Sequence, residues 1–199
     1  ETNESFLTSP FGENYLYSVN RNSFVKEPSD KVFSKIYQQR LDSEKTFYII
    51  LGTDSGLLLD YILRQEKADD TRFLFIELPH LINRIKENVD LDELPEHVQI
   101  TTLDKWQDVG IEFGIELYLY KDQCCFLKSV GVIDSYLADY SAAILTFEQE
   151  YNSFRFFTRA TLAVSPFMAS QLQNICENHT PASIFKDKFN GETCIILAG

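Results

Sequence analysis

Phe47-Tyr48-Ile49-Ile50-Leu51 is an unbroken run of large hydrophobic residues that stops at Gly52. A strand with one wet face alternates apolar and polar residues, so an unbroken run needs cover on both faces. The usual solution is an inner strand of a parallel sheet with helices on either side, and no other feature of the chain is as restrictive. Gly52-Thr53-Asp54-Ser55-Gly56 follows as a turn, and Leu58, Tyr61, Ile62 and Gln65 then share one stripe at helical spacing. Arg72-Phe73-Leu74-Phe75-Ile76-Glu77 is a second strand of the buried kind, ending on an acid. Pro79 suits the first turn of another helix, whose apolar face is Leu81, Ile82, Ile85 and Val89. Val98-Gln99-Ile100-Thr101-Thr102 is a third short strand. This β-α-β-α-β order with short connections predicts right-handed crossovers and a parallel sheet.

The flanking segments complete the reading. Residues 1–28 are loop-rich, with a short hairpin expected between Tyr15 to Val19 and Ser23 to Lys26, turning at Asn20-Arg21-Asn22. Pro28-Ser29-Asp30 opens a helix carrying Val32, Phe33, Ile36, Tyr37 and Leu41 on one face. Ile115 to Tyr120 and Cys124 to Leu127 are separated only by Lys121-Asp122-Gln123, which predicts an antiparallel hairpin at a sheet edge. From about Val132 the period becomes helical, through Ile133, Leu137, Tyr140, Ile144 and Phe147. A further helical region runs from about Asn152 to Glu177, with a kink or restart expected at Ser165-Pro166 and a stop at Asn178-His179-Thr180-Pro181. Phe189-Asn190-Gly191-Glu192 reads as a turn, and Thr193-Cys194-Ile195-Ile196-Leu197 as one more buried strand. The expected fold class is α/β: a Rossmann-like, mostly parallel sheet with an edge hairpin, followed by C-terminal helices. Four segments follow: 1–28 as an N-terminal loop and hairpin, 29–130 as the Rossmann-like domain, 131–182 as a helical connector, and 183–199 as the start of a truncated second domain.

Length and charge narrow the function classes. A chain of 199 residues, 44 % hydrophobic and with 16 Phe and 10 Tyr, can fill a sizeable core. Its net charge of −12 repels phosphate backbones and anionic membranes, so neither nucleic acid nor a membrane is an expected partner. No stretch reaches the roughly 18 apolar residues of a membrane span, and residues 1–22 lack a signal-type core, which predicts a cytoplasmic address. Cys124, Cys125, Cys176 and Cys194 match no zinc spacing and are expected to be buried, reduced thiols.

Chemistry would be sought first at the glycine turn. A strand, Gly52-x-x-x-Gly56, a helix, and a second strand ending in Glu77 is the order of a nucleotide site. The glycines allow a tight turn and close backbone approach, the helix start presents N–H groups, and the acid can accept from ribose hydroxyls. Gly52, Thr53, Asp54, Ser55, Gly56 and Glu77 are therefore the candidate ligand-binding residues. A full G-x-G-x-x-G is missing, and Asp54 would repel a phosphate, so a scaffold turn is the competing reading. An S-adenosylmethionine site, which holds no phosphate, would tolerate Asp54 better. His80, His97 and His179 each stand near a proline in no metal-binding or catalytic spacing and are expected as surface loop residues. No catalytic residue and no metal ligand are assigned.

Three stretches resemble the motility accessory factor (Maf) family of flagellin glycosyltransferases. One is the helix from Ser29 to Leu41 leading straight into the first strand. Another is Ile49-Ile50-Leu51-Gly52-Thr53-Asp54-Ser55-Gly56 with Leu59-Asp60-Tyr61-Ile62-Leu63 and Phe75-Ile76-Glu77-Leu78. The third is Phe185-Lys186-Asp187-Lys188-Phe189-Asn190-Gly191 followed by Ile195-Ile196-Leu197-Ala198-Gly199, similar to the lead-in of the family's central 6-hydroxymethylpterin pyrophosphokinase-like (MptE-like) domain. The chain departs from the family in having Thr53-Asp54-Ser55 where a second glycine is common, and Leu78 between Glu77 and Pro79. The resemblance implies an N-terminal domain with a scaffold or acceptor-recognition role. The intact protein would transfer a nonulosonic acid of pseudaminic or legionaminic type from a CMP-activated donor to flagellin Ser/Thr. The expected partner is flagellin or a flagellin–chaperone complex, with no cofactor in this segment. The alternative is an S-adenosylmethionine-dependent methyltransferase-like enzyme; a pterin-diphosphate enzyme is suggested only by the name of the central domain.

Overall fold

A computed structural model describes residues 4–65, 70–91, 93–177, 183, 186–188, 190 and 191. The strand expected at 193–197, Cys194, His179 and the stop at 178–181 lie outside the described residues. The chain forms two compact units, Glu1–Thr158 and Arg159–Gly199.

The first unit opens with a small antiparallel pair, β1 (Leu7–Thr8) and β2 (Asn14–Tyr15), then a single helical turn, α1 (Tyr17–Asn20), and α2 (Ser29–Tyr37). A hairpin does occur in this segment, but not where it was expected. Tyr17–Asn20 is helical because the Asn20 side chain bonds inside the protein rather than turning in solvent.

Four parallel strands follow: β3 (Phe47–Leu51), β4 (Arg72–Ile76), β5 (Val98–Thr101) and β6 (Cys124–Lys128). Their spatial order is β5-β4-β3-β6, with Ile49 aligned to Leu74 on one side and to Phe126 on the other. Every residue of β3 is buried, as an inner strand requires. Its side chains divide by the pleat. Phe47, Ile49 and Leu51 enter a core shared with Trp106, Ile115, Leu119, Tyr140 and Phe147, while Tyr48 and Ile50 enter one shared with Phe33, Tyr37, Leu58 and Ile62. The fold is thus α/β with a parallel, Rossmann-like sheet.

The connections are α3 (Leu57–Leu63), α4 (Pro79–Ile85), α5 (Trp106–Glu112) and α6 (Ile115–Tyr120). The last corrects the edge hairpin expected over 115–127. Ile115 to Tyr120 is a helix, and Cys124–Lys128 pairs parallel to β3. A parallel neighbour must be reached by a crossover, and α5 and α6 are that crossover. In so short a segment, burial of Ile115 and Leu119 with exposure of Leu117 and Tyr120 fits four-residue spacing, which alternation conceals.

After β6 come α7 (Val130–Asp134) and α8 (Ala138–Glu177). Helix α8 continues through Pro166 instead of restarting there. Ser165 Oγ donates to the Thr161 carbonyl at 3.0 Å, so the serine bonds back along the helix rather than capping a new one. Pro166 is exposed, so water can serve the Leu162 carbonyl that lacks its usual donor. The thiols differ from expectation as well: Cys124 and Cys125 are half-buried and Cys176 is exposed, all three free. Burial pushes the Cys124 thiol up to about 12. Among the described residues no helix is long and apolar enough to cross a membrane.

Candidate functional site

Strand order sets where a ligand would sit. The chain leaves β3 to build β4 and β5 on one side, then returns to build β6 on the other, so the connections diverge between β3 and β6. The crevice at the carboxyl ends of two such strands is where open α/β sheets bind ligands. The 52–56 turn leaves β3 at this point, and α7 starts there after β6.

The turn is tightly determined. Gly52 has φ 83°, and a Cβ on it would lie 2.3 Å from Ser129 Oγ and 2.8 Å from Val132 Cγ2. Its N–H donates to the Ile76 carbonyl at 2.9 Å, and the Ser129 N–H donates to the Leu51 carbonyl at 2.9 Å. Glycine is required twice over here, by backbone conformation and by the closeness of the β6–α7 junction. Asp54 (φ 51°) and Ser55 (φ 60°) also lie in the left-handed region. Side-chain bonds hold them there.

The Asp54 carboxylate accepts from the Val130 N–H at 2.9 Å, the Gly131 N–H at 2.7 Å and Asn20 Nδ2 at 2.9 Å. Ser55 Oγ donates to Asn20 Oδ1 at 2.7 Å and accepts from the Leu16 N–H at 3.0 Å. Asn20 therefore uses both ends of its amide on adjacent loop residues. The 16–20 segment closes over the crevice, and a Cβ on Gly131 would meet the Val19 carbonyl oxygen at 2.8 Å. Asn20, Thr53 and Asp54 are fully buried.

Glu77, at the end of β4, is equally occupied. One carboxylate oxygen accepts from the Thr53 N–H at 2.8 Å and from Thr53 Oγ1 at 2.7 Å. The other accepts from the Leu78 N–H at 2.9 Å and from the Tyr140 hydroxyl at 2.7 Å. Four donors on two oxygens is the coordination of an ionised carboxylate. Burial pushes both Asp54 and Glu77 above the usual carboxylate range, and these donors pull each part of the way back. Burial and the Glu77 charge push Tyr140 upward, so its hydroxyl stays a donor. Among the described residues no buried side-chain nitrogen or oxygen lacks a partner.

The structure thus brings all six candidates, Gly52, Thr53, Asp54, Ser55, Gly56 and Glu77, into one buried cluster. For Glu77 to take a ribose hydroxyl, Tyr140 or Thr53 would have to let go. A ligand over Asp54 would have to displace residues 16–20. Asn20, Gly131 and Tyr140 were not foreseen. Tyr140 had a usable signal, because a tyrosine on an apolar helix face needs a partner for its hydroxyl. Asn20 had none, since its partners are 34 and 35 residues away. His80 is exposed, whereas His97 is half-buried and meets Phe73 edge-on. Among the described residues no group of three His, Cys, Asp or Glu could hold a metal ion. Comparison of the chain with protein families, curated proteins and solved structures finds no match.

Proposed function

We propose that this chain serves as a non-catalytic recognition and scaffold domain of a cytoplasmic, Maf-type flagellin glycosyltransferase. The observation that carries the non-catalytic part is the sealed crevice: Asn20, Asp54 and Ser55 close the ligand position of the sheet with bonds to each other. Every lone pair a nucleoside would use on Glu77 already holds a donor. The same observation disfavours the S-adenosylmethionine-dependent reading, which needs that acid and that crevice free. The glycosyltransferase part is supported by the sequence resemblance described above. In this reading the CMP-activated nonulosonic acid binds elsewhere in the intact protein, and this domain holds flagellin or its chaperone complex.

Two titrations of the chain test the proposal. Calorimetry with S-adenosylmethionine and with CMP should show no heat of binding. Micromolar S-adenosylmethionine binding that Glu77→Gln abolishes would replace the scaffold reading with the methyltransferase-like one. Titration with purified flagellin, alone and with its chaperone, should show a complex. Its absence in both would remove the recognition role.

A further inference from the structure

Among the described residues, the end of α8 presents a surface with no internal use. Residues 160–176 contain no Asp, Glu, Lys or Arg, although the whole chain carries 48 such residues, 18 basic and 30 acidic. Within this helix end Phe157 is 66 % exposed, Met168 53 % and Ile175 71 %. A groove of about 650 Å³ runs along it past Ala160, Val164, Met168 and Leu172. An apolar strip of this length in water marks an interaction face.

Its pattern says what covers it. Phe157, Thr161, Val164, Met168, Gln171 and Ile175 recur at alternating steps of four and three, the seam of a two-helix coiled coil. The seam is also a palindrome about Pro166. When the helix is laid antiparallel on its own copy, Phe157 meets Ile175, Thr161 meets Gln171, and Val164 meets Met168. Apolar faces apolar and polar faces polar in every layer. Ala160 falls opposite Leu172, small against large. Pro166 points away from the seam, so its missing N–H does not interrupt the contact.

Charge selects the same partner. Two copies at net −12 repel each other, and an uncharged face is where they can approach without that penalty. A strongly charged partner would gain nothing from this strip.

We propose that the 157–175 face of α8 pairs with the same face of a second copy as an antiparallel, two-fold helix dimer. The contact is isologous and closes on itself.

Sedimentation of the chain should give twice the 23.0 kDa chain mass, and Val164→Asp should return it to one chain mass with an unchanged circular dichroism spectrum. Direction is read by oxidation in a Cys176→Ser background. A mixture of Val164→Cys and Met168→Cys chains, which face each other across the two-fold axis, should form an interchain disulfide that neither variant forms alone. Ile175→Cys should not, because antiparallel copies of it stand roughly 27 Å apart along the axis. A wild-type monomer at about 100 µM, far above an ordinary dimer dissociation constant, would overturn the proposal. So would a dimer that Val164→Asp leaves intact, or one bridged at Ile175→Cys rather than between Val164→Cys and Met168→Cys. A monomer that binds flagellin through Val164 would also overturn it, and would assign the face to that partner instead.

Discussion

The crevice beside β3 and the end of α8 invert each other. In the crevice, two carboxylates, an amide and three hydroxyls are buried, and each is bonded to another part of the same unit. At the helix end, large apolar side chains are exposed. The first region has polar groups where apolar ones are ordinary, and the second has apolar groups where polar ones are ordinary. Stability explains the first, because a buried carboxylate is tolerated only when fully bonded, so the cluster admits one geometry. It does not explain the second, since exposed apolar area adds nothing to the fold of one copy. The proposed reading therefore makes the polar region structural and the apolar region a contact face, the reverse of what residue type alone suggests.

The contrast breaks most severely at Gly52. Gly52→Ala combines an unfavourable φ with a clash on Ser129, and should cost about 3 kcal/mol or more in urea unfolding. A loss below about 0.5 kcal/mol would mean that the turn is adjustable and the crevice is not sealed. Asn20→Ala should follow, at about 2 kcal/mol, because Asp54 loses a donor and Ser55 Oγ loses its acceptor, both of them buried. If the variant were instead stable and bound S-adenosylmethionine, the 16–20 segment would be a removable cover.

Tyr140→Phe sharpens the comparison through pH. It should cost about 1.5 kcal/mol near neutral pH, where Glu77 loses one of four donors. Glu77 has its folded pKa raised by burial above 4.5, and removing Tyr140 raises it further. A raised folded pKa means stability that is complete below the unfolded value and lost as pH rises through the folded one. The variant loses more over that rise than the wild type. Its deficit should grow as pH rises above the unfolded carboxylate value and shrink as pH falls toward it, as measured by thermal unfolding at each pH. A deficit independent of pH would show that Glu77 is not the group Tyr140 serves.

The smallest effect belongs to the other region. Phe167→Gln should change the unfolding free energy by less than about 0.5 kcal/mol at concentrations low enough to keep copies apart. A larger loss would mean that the helix end already packs within one copy.

The unbroken apolar runs at 47–51 and 73–76 and the spacing in 29–41 determined a parallel α/β core by themselves, because burial on both strand faces leaves its mark residue by residue. Residues 52–56 and Glu77 were legible as one cluster for the same local reason, a turn and an acid at the ends of adjacent strands. Ile115 to Tyr120 was not legible, since in six residues a helix that buries only Ile115 and Leu119 looks like an alternating strand. Whether the cluster binds a ligand or binds itself could not be read from the turn. That depends on Asn20, Tyr140 and Gly131, which lie 34, 63 and 77 residues from the groups they bond. Hydrogen bonds are short-ranged and follow no period along the chain, so only the folded sheet, by carrying residues 16–20 and the start of α7 to the ends of β3 and β6, decided that the crevice is closed.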